Sequence, residues 1–507
     1  MAEPFYITTA ISYPNGPPHI GHAYEAIAAD AIARFMRSQG RDVRFQTGTD
    51  EHGLKMAQAA RAEGSEPRIY AQKMSLLLKD MCDTLNVSYD RFIGTSEEDH
   101  YRASQAIWTA MAEKGDLYLD SYAGFYSVRD EAFYEESELI DGEGGEKLSP
   151  NGAPVEWTEE ASWFFRLSDY QQRLLDHYAA HPEFIQPDSR RNEILRFVEG
   201  GLKDLSISRT SFDWGVPVPG SDGSDSGHVM YVWLDALTNY ITGLGYPDDT
   251  ALWREFWPAA VHLIGKDVVR FHAVYWPAFL MSAGIALPKQ IFGHGFLLSR
   301  GEKMSKSVGN VVDPMVLAKR FGVDALRYFL LREVPFGQDG SYSAEAIVTR
   351  ANAELANSFG NLAQRTLSMI FKNLDGIIPA AGEAAEDLEL LSTVRSACAE
   401  DMPQAFERYA FSVGIEAWMK AVFACNAYVD AMAPWALRKT DLERMTAVLG
   451  TLAAAIGQLA LAIAPVIPES SARLLAAIAA GDNGQPIAQP LALFPRLELE
   501  EGDPQCG

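Results

Sequence analysis

Cysteine is scarce in this sequence, with four residues among 507. Cys82, Cys398, Cys425 and Cys506 are widely spaced, and no two of them form a C-x-x-C pair. Such spacing builds neither a disulfide framework nor a thiolate zinc site. Scattered free thiols are typical of a reducing cytoplasm, which is the location we expect.

Leader and membrane signals are also missing. The first six residues carry neither a basic segment nor a long apolar run, so we expect no signal peptide. The most apolar stretches are Ala447 to Ile467 and Leu474 to Ala480, and prolines interrupt them at 465 and 468. We therefore predict core helices and no membrane partner.

Positive charge is in deficit, with 43 Lys and Arg against 68 Asp and Glu, a formal net charge of −25. Proteins that bind nucleic-acid phosphates usually show a basic bias. Bulk charge alone therefore argues against a nucleic-acid partner, and only specific motifs can outweigh it. The composition is otherwise globular, with 48% hydrophobic residues in a chain long enough for several domains.

Strand and helix signals alternate at the start of the chain. Phe5 to Ile11 is apolar and β-prone, Ala23 to Arg37 has apolar side chains at helical spacing, and a second strand starts at Val43. Val261 to Gly265 indicates another buried strand. This alternation predicts a parallel α/β sheet.

The first motif, Pro18 to His22, follows a strand and opens a helix. Free N–H groups and the macrodipole favour anions at a helix N-terminus. His19 and His22 can donate hydrogen bonds to phosphate oxygens there, and Gly21 leaves room for a nucleotide near the backbone. A structural turn and a two-histidine metal pair are the alternatives.

The second motif is Lys303 to Ser307, flanked by glycines 301 and 309. Lys303 and Lys306 lie three residues apart in a predicted loop and can clamp a triphosphate. The alternative for such an isolated pair is a solvated basic loop.

Together, H-I-G-H near the start and K-M-S-K-S much later resemble the class I aminoacyl-tRNA synthetases, whose two loops close over one ATP. Further segments resemble the methionyl-tRNA synthetase family, from Phe5 to about Leu474. These segments are Ala10 to Gly16, Gly48 to Gly53, Tyr231 to Ala236, Ile264 to Asp267, Phe271-His272, Trp276-Pro277, Asn361 to Arg365, and Asn426 to Trp435.

The resemblance implies an α/β Rossmann-like parallel-sheet catalytic domain, split by an insertion and followed by an all-α anticodon-binding helical bundle. The expected segments are the first half of the catalytic domain (1–115), an inserted module (116–227), the second half (228–292), a stem-contact segment with the lysine loop (293–343), and the anticodon domain (344–507).

The resemblance also implies the substrate contacts. Asp50 would hold the α-ammonium of methionine, although its spacing also allows a helix cap. An apolar and aromatic pocket suits a long thioether, because sulfur packs favourably on aromatic rings; each aromatic taken singly is more often plain core. Its expected members are Ile11, Tyr13, Trp233, Ala236, Tyr240, Val268, His272 and Trp276.

The expected nucleotide contacts surround the two motifs. ATP-binding residues would be His19, Gly21, His22, Lys266, Asp267, Gly293, His294, Phe296, Lys303 and Lys306. His19, His22, Lys303 and Lys306 would be catalytic through stabilisation of phosphate charge, with Mg²⁺ bridging phosphate oxygens. For the stretch around His294 the alternative is an ordinary β-turn.

The anticodon of methionine tRNA, initiator and elongator, would be bound by Asn361, Arg365, Pro434 and Trp435. Asn361 and Arg365 lie four residues apart and hence on one helical face. Trp435 offers a flat face for an unstacked base. The alternative is a core tryptophan beside a proline.

The inserted module has no cysteine where many relatives carry zinc knuckles. We therefore expect no structural zinc and no protein-held metal, with Phe125, Phe133, Trp157, Trp163, Phe164 and Phe165 as the candidate core of the module.

The predicted activity is ATP-dependent formation of methionyl-adenylate and transfer to tRNA, by a monomer. A tRNA-independent nucleotidyltransferase with an H-x-G-H turn and a non-catalytic tRNA-binding paralogue are the alternatives. The long helical domain argues against the first, and the intact histidines and lysines argue against the second.

Overall fold

The computed structural model describes residues 2–129, 132–142, 145–220, 225–299, 302–303, 311–482 and 485–499. In chain order its strands are β1 (Pro4–Thr9), β2 (Asp42–Thr49), β3 (Arg91–Gly94), β4 (Leu117–Ser127), β5 (Ala132–Tyr134), β6 (Ile140–Asp141), β7 (Lys147–Leu148), β8 (Glu156–Phe165), β9 (Ile185–Gln186), β10 (Leu205–Ser206), β11 (Ser208–Arg209), β12 (Pro217–Pro219), β13 (Asp225–Met230), β14 (Ala260–Gly265), β15 (Gln290–His294), β16 (Leu297–Ser299), β17 (Glu302–Lys303) and β18 (Gly340–Tyr342). Its α-helices are α1 (Ile20–Ser38), α2 (Leu54–Ala62), α3 (Pro67–Thr84), α4 (Glu98–Glu113), α5 (Gln171–Ala180), α6 (Asp188–Glu199), α7 (Val232–Thr242), α8 (Ala251–Phe256), α9 (Trp276–Ala283), α10 (Pro314–Phe321), α11 (Val323–Glu333), α12 (Ala344–Arg350), α13 (Asn361–Asn373), α14 (Ala385–Ser396), α15 (Met402–Phe406), α16 (Phe411–Met432), α17 (Pro434–Thr440), α18 (Leu442–Ile463) and α19 (Pro468–Asp482).

The chain divides into two compact units. The first unit comprises residues 1–18, 40–82 and 88–294, and the second comprises residues 19–39, 83–87 and 295–507.

A six-stranded sheet in the order β3-β2-β1-β14-β15-β9 forms the centre of the first unit. Every neighbouring pair in it is parallel, as the alternation of strand and helix signals predicts. The residues from Phe5 to Ile7 in β1 are at most 4% exposed. Parallel sheets are covered on both faces, which explains the near-continuous apolar run of this strand.

The first helix begins earlier than its apolar periodicity predicts, at Ile20 instead of Ala23. The cause is local capping: His19 has extended backbone angles, and its side chain accepts a hydrogen bond from the backbone N–H of Gly21. A side-chain acceptor at the N-cap satisfies a backbone donor that the helix itself leaves open. The apolar periodicity alone misses this start, whereas the motif from Pro18 to His22, which is predicted to open a helix, places it correctly.

Residues 116–227 contribute an antiparallel sheet in the order β10-β8-β4-β5. They also supply β9, which pairs with β15 and completes the parallel sheet. Phe165 is fully buried in this region, whereas Trp157 is 62% exposed, so its assignment to the core is wrong. Trp157 instead packs edge-on against Phe125, directly across the paired strands β4 and β8. The predicted boundaries of the five segments stay a prediction.

The second unit is mostly helical. Helix α18 packs against α14, α16, α17 and α19. It is long and apolar enough to cross a membrane by length and composition, with mean hydropathy 1.9 over an 18-residue window, and 61% of that window is buried among these neighbours. Elsewhere in this unit a buried ion pair joins two helices: Nη2 of Arg327 in α11 donates to Oδ2 of Asp30 in α1 at 2.6 Å.

Candidate active site

Asp50 follows β2 directly, at the carboxyl end of a central strand, where open α/β sheets bind ligands. Its side chain is buried, with the residue 9% exposed, and its backbone N–H donates to the carbonyl of Ser12 at 2.9 Å. The N-cap of the following helix α2 is Gly53, which has no side-chain capping bond. The alternative that Asp50 caps that helix is therefore wrong.

An aromatic group lies on α7 and on the π-helical turn from Phe271 to Tyr275 that precedes α9. The hydroxyl of Tyr240 and Nε2 of His272 are 2.7 Å apart. The ring of Trp233 meets the ring of His272 edge-on at 6.3 Å, and the ring of Trp276 lies 6.3 Å from that of Tyr240. Four of the predicted pocket residues are thus brought together.

The proton positions of this pair follow from its partners. Nδ1 of His272 lies 2.9 Å from the carbonyl oxygen of Val268, which can only accept, so Nδ1 carries the hydrogen. Burial lowers the pKa of His272 to about 4, so at neutral pH Nε2 is bare and accepts from the hydroxyl of Tyr240. The tyrosine hydroxyl is therefore held in one orientation, and the ring beside it is uncharged.

His262 in β14 belongs to the same group, although the sequence did not single it out. Its ring stacks on that of Tyr240 at 4.0 Å, and its Nδ1 lies 2.8 Å from Oγ1 of Thr8 in β1. Burial, with a smaller contribution from nearby His272, lowers its pKa well below the usual value. The available signal was a lone histidine inside an otherwise apolar strand whose residues are all buried.

The remaining predicted pocket residues are Ala236, Val268, Ile11 and Tyr13. Ala236 is buried on α7, and Val268 and Ile11 are half-buried. Tyr13 lies with α2: its hydroxyl accepts from the backbone N–H of Met56 at 3.0 Å.

The predicted nucleotide contacts of the first unit lie at the ends of two paired strands. Lys266 and Asp267 follow β14 in a short 3₁₀ turn, and His294 ends β15 opposite Gly265. Carboxyl ends of parallel strands meet at one edge of a sheet, so these residues share it. A Cβ at Gly293 would come within 2.5 Å of a methyl group of Val269, so close packing requires this glycine. His294 lies in the strand itself, not in an isolated β-turn.

In the second unit, the histidines of the first motif fold onto each other. The rings of His19 and His22 are stacked with centroids 3.7 Å apart, and the backbone N–H of His19 donates to Nδ1 of His22 at 3.1 Å. A Cβ at Gly21 would lie 3.0 Å from the ring of His19, tighter than side chains normally pack. The glycine therefore permits the ring to fold over the start of α1.

The other predicted nucleotide contacts lie further along the second unit. The backbone N–H of Phe296 donates to Oδ1 of Asp339 at 2.8 Å. Lys303 ends β17, which pairs with β16, while Lys306 lies outside the described residues.

The predicted anticodon residues lie on α13 and at the start of α17. The guanidinium of Arg365 lies 5.3 Å from the ring centroid of Trp435, a cation–π geometry. Trp435 is 46% exposed, so it is not a core tryptophan, whereas Pro434 before it is buried. Asn361, one turn before Arg365, is exposed.

No group of three or more histidine, cysteine, aspartate or glutamate side chains is arranged to hold a metal ion within the described residues. Over that same part of the chain, Cys398 and Cys425 are free thiols.

Family models match almost the whole chain. The model described as "tRNA synthetases class I (M)" matches residues 5–367, and the "Anticodon binding domain of methionyl tRNA ligase" matches residues 378–498.

Curated relatives match over their full length. A "Methionine--tRNA ligase" of Brucella suis is 56% identical over 97% of this chain and 94% of its own. One of Mycobacterium bovis is 54% identical over 98% of both chains.

Among solved structures, Mycobacterium tuberculosis methionyl-tRNA synthetase in complex with methionyl-adenylate is 54% identical. Its TM-score is 0.93, and the match covers 97% of this chain and 100% of that one. The apo form of that enzyme gives a TM-score of 0.87 at 49% identity, over 99% of both chains.

Proposed function

The chain belongs to the methionyl-tRNA synthetase family, and from that premise we propose how its own residues carry out the two steps of methionine–tRNA ligation. The activity is that of a class I methionine–tRNA ligase, which uses ATP to activate methionine and then charges tRNA. The roles proposed for single residues rest on the family resemblance, together with the geometry of each unit.

Methionine binds between a carboxylate and an uncharged aromatic wall. Asp50 pairs with the α-ammonium, because a buried carboxylate favours a cationic partner. Trp233, Tyr240, His272 and Trp276 enclose the thioether, with Ile11, Tyr13, Ala236 and Val268 completing the pocket. The observation that carries this assignment is the hydrogen bond between Tyr240 and a neutral His272. It fixes the orientation of the tyrosine hydroxyl and leaves the wall without a charge.

In the first step the methionine carboxylate attacks the α-phosphorus of ATP in line, and pyrophosphate leaves. His19 and His22 stabilise the α- and β-phosphates from the start of α1, and Lys303 and Lys306 stabilise the pyrophosphate. Lys266, Asp267, Gly293, His294, Gly21 and Phe296 bind the rest of the nucleotide. Mg²⁺ bound with ATP would supply further neutralisation of the phosphate charge.

In the second step the 2′-hydroxyl of the terminal tRNA adenosine attacks the carbonyl carbon of the adenylate, and AMP leaves. Arg365 and Trp435 bind the anticodon of initiator and elongator methionine tRNA, with Asn361 and Pro434 beside them. The exposed cation–π pair supports this role, because an exposed ring is available for an unstacked base. The monomeric state and the cytoplasmic location stay predictions.

The experiment is ATP–pyrophosphate exchange with each of the twenty amino acids, followed by charging of methionine tRNA. We expect exchange with methionine far above the others. The Asp50→Asn variant should raise the KM for methionine and leave that for ATP near normal. An unchanged methionine KM would remove Asp50 from the ammonium site.

Structural zinc is tested separately by elemental analysis of the purified protein, where we expect less than one zinc per chain. One tightly held zinc per chain would contradict the zinc-free insert.

A further inference from the structure

Helix α7 has two different faces, and apart from the half-buried Trp233 both are buried. Trp233, Ala236 and Tyr240 lie three and four residues apart and share the face assigned to the thioether wall. The opposite face is polar, and its members are at most 3% exposed. They are Asp235, Thr238, Asn239 and Thr242.

Buried polar groups destabilise a fold unless they are hydrogen-bonded, so an apolar face would pack at lower cost. Hydrogen bonds differ from apolar contacts in having direction. A polar face can therefore fix the rotation and the height of a helix, which apolar packing alone leaves less well defined.

Asp235 makes the strongest contacts of this face. Its carboxylate is fully buried and accepts from two imidazoles: Oδ2 lies 2.7 Å from Nδ1 of His52, and Oδ1 lies 2.6 Å from Nε2 of His100. Both histidines are at most 1% exposed. Nε2 of His52 lies 2.9 Å from the hydroxyl of Tyr101, and Nδ1 of His100 lies 3.1 Å from Oγ1 of Thr242.

The carboxylate is charged at neutral pH. Burial raises the pKa of Asp235, but the electrostatic interactions and hydrogen bonds with His52 and His100 outweigh it and hold this pKa at about 2. Hydrogen bonds to an ionised acceptor are shorter and stronger than neutral ones, and the low local dielectric strengthens them further.

One of the two histidines connects α7 to the proposed ammonium contact, since His52 lies two residues after Asp50. The backbone is held by a hydrogen bond on each side of His52. The backbone N–H of Glu51 donates to Oγ1 of Thr95 at 2.8 Å, and that of Gly53 donates to the carbonyl of Trp214 at 3.1 Å. A shift of α7 is thus opposed through His52 by a loop that cannot follow it freely.

We propose that Asp235 is a positioning residue that fixes α7 against the loop from Asp50 to Gly53 and thereby sets the length of side chain that the methionine pocket accepts. The inference rests on the proposed roles of Asp50 and the aromatic wall. Asp235 touches neither substrate. It holds the spacing between the group that binds the ammonium and the group that binds the thioether.

The test is Asp235→Asn, which keeps the shape and removes the charge. One imidazole can move its proton to its other nitrogen and accept from the amide N–H, so folding is retained while both contacts lose the strength that the ionised carboxylate gives them. ATP–pyrophosphate exchange is measured with methionine and with ethionine, which is one CH₂ longer. Because small displacements of positioning groups have large kinetic effects, we expect the methionine KM to rise about tenfold and the preference for methionine over ethionine to fall about tenfold. The KM for ATP should stay within about twofold, because Asp235 lies on the amino-acid side of the site.

A second pair of variants protects the test against misfolding. His100→Gln keeps a donor near the position of Nε2 and should restore most of the discrimination, while His100→Leu removes the donor and should behave like Asp235→Asn. His100 belongs to α4 and to none of the proposed substrate contacts. The effect of substituting it therefore reports on its hydrogen bond to Asp235.

The matched control is Asp387→Asn. Asp387 is also a fully buried carboxylate, and it accepts from the hydroxyl of Tyr428 and, at 2.9 Å, from Nη2 of Arg444 in the second unit. It should lower the melting temperature like Asp235→Asn and leave both exchange parameters unchanged.

The proposal is overturned if Asp235→Asn loses stability yet keeps the methionine KM and the discrimination of the wild type, since that marks a purely structural carboxylate. An Asp50→Asn variant with normal methionine KM would instead overturn the ammonium assignment, and this inference with it. The two failures are therefore distinct.

Discussion

The two proposed recognition regions use aromatic side chains in opposite ways. In the first unit Tyr240 and Trp276 are at most 1% exposed, and the imidazole beside them is held neutral. In the second unit Trp435 is 46% exposed and lies against the permanent charge of Arg365. A buried neutral wall selects by what fits inside it, whereas an exposed ring selects by what can stack on it.

The proposed anticodon contact would not depend on the net charge of the chain. From residue 346 to the end the sequence has 19 acidic and 11 basic residues, so this part does not attract tRNA by bulk charge. Stacking on one ring and hydrogen bonds from one guanidinium need no basic surface, since base–aromatic stacking contributes about 1–3 kcal/mol per base. We therefore expect local geometry to outweigh the average charge of the domain.

The largest expected effect is on the chemical step that both regions depend on. Lys306→Ala should slow adenylate formation by about 10²–10³-fold, because it removes charge stabilisation from a phosphoryl transition state. The methionine KM should change little, measured by pyrophosphate exchange. Lys319→Ala, an exposed lysine on α10, is the control and should be near normal. Near-normal exchange in Lys306→Ala would refute the assigned role.

The selectivity of the buried wall is tested with homocysteine, which lacks one methyl group of methionine. An apolar pocket gains only about 1–3 kcal/mol from such a difference, so kcat/KM for homocysteine in exchange should be about 10–200-fold below that for methionine. If saturating homocysteine gives no exchange above background, recognition of the thioether is polar and the description of the wall is incorrect.

The exposed ring should affect only the second step. Trp435→Ala should lower tRNA aminoacylation by about tenfold or more through loss of base stacking, with pyrophosphate exchange nearly intact. Phe423→Ala removes another exposed aromatic, 53% accessible on α16, and should leave both activities unchanged. A parallel fall of exchange and melting temperature in Trp435→Ala would mark a structural tryptophan.

The smallest expected effect is on the pH dependence of the free energy of unfolding, to which the buried wall should contribute and the exposed ring should not. The pKa of His272 is lowered by burial to about 4, below the ordinary histidine value of 6.5. Between these two values the unfolded chain binds a proton that the folded chain does not. The free energy of unfolding should therefore fall as pH drops, by at most about 1.4 kcal/mol per pH unit for this residue.

Denaturation curves from pH 7 to 4.5 measure that slope. His272→Gln should flatten it, while His181→Gln, 53% exposed at its side chain, should not. The pair of Arg365 and Trp435 should not respond, because a guanidinium stays protonated throughout this range. An unchanged slope in His272→Gln would show that His272 is not the group responsible.

The sequence predicts much of the fold because strand and helix periodicities are local. Phe5 to Ile7 carries the apolar run of a doubly covered strand, and the first helix follows as expected. The grouping of Tyr240, His272 and Trp276 is predicted by the family resemblance and not by any local periodicity. Contacts between distant segments were not predictable in this way.

His262 shows what local patterns leave out. It looks like part of a buried strand, and only the fold brings it onto Tyr240. His100 carries no motif at all, yet it shares the Asp235 carboxylate with His52. For Trp157 the sequence predicts burial and the side chain is exposed. An aromatic residue on a strand is buried or exposed according to which face of the sheet the rest of the protein covers.

The central position of β1 has a consequence for synthesis. Thr8 and its partner His262 are separated by 254 residues, and β1 pairs on that side with β14. At ribosomal rates of about 5–20 residues per second, β1 leaves the ribosome on the order of ten to fifty seconds before β14 exists. During that time the backbone N–H and C=O groups on one edge of a strongly apolar strand are unpaired, and such edges pair readily with other chains. The nascent protein is therefore most open to chaperone binding and to aggregation before translation reaches β14.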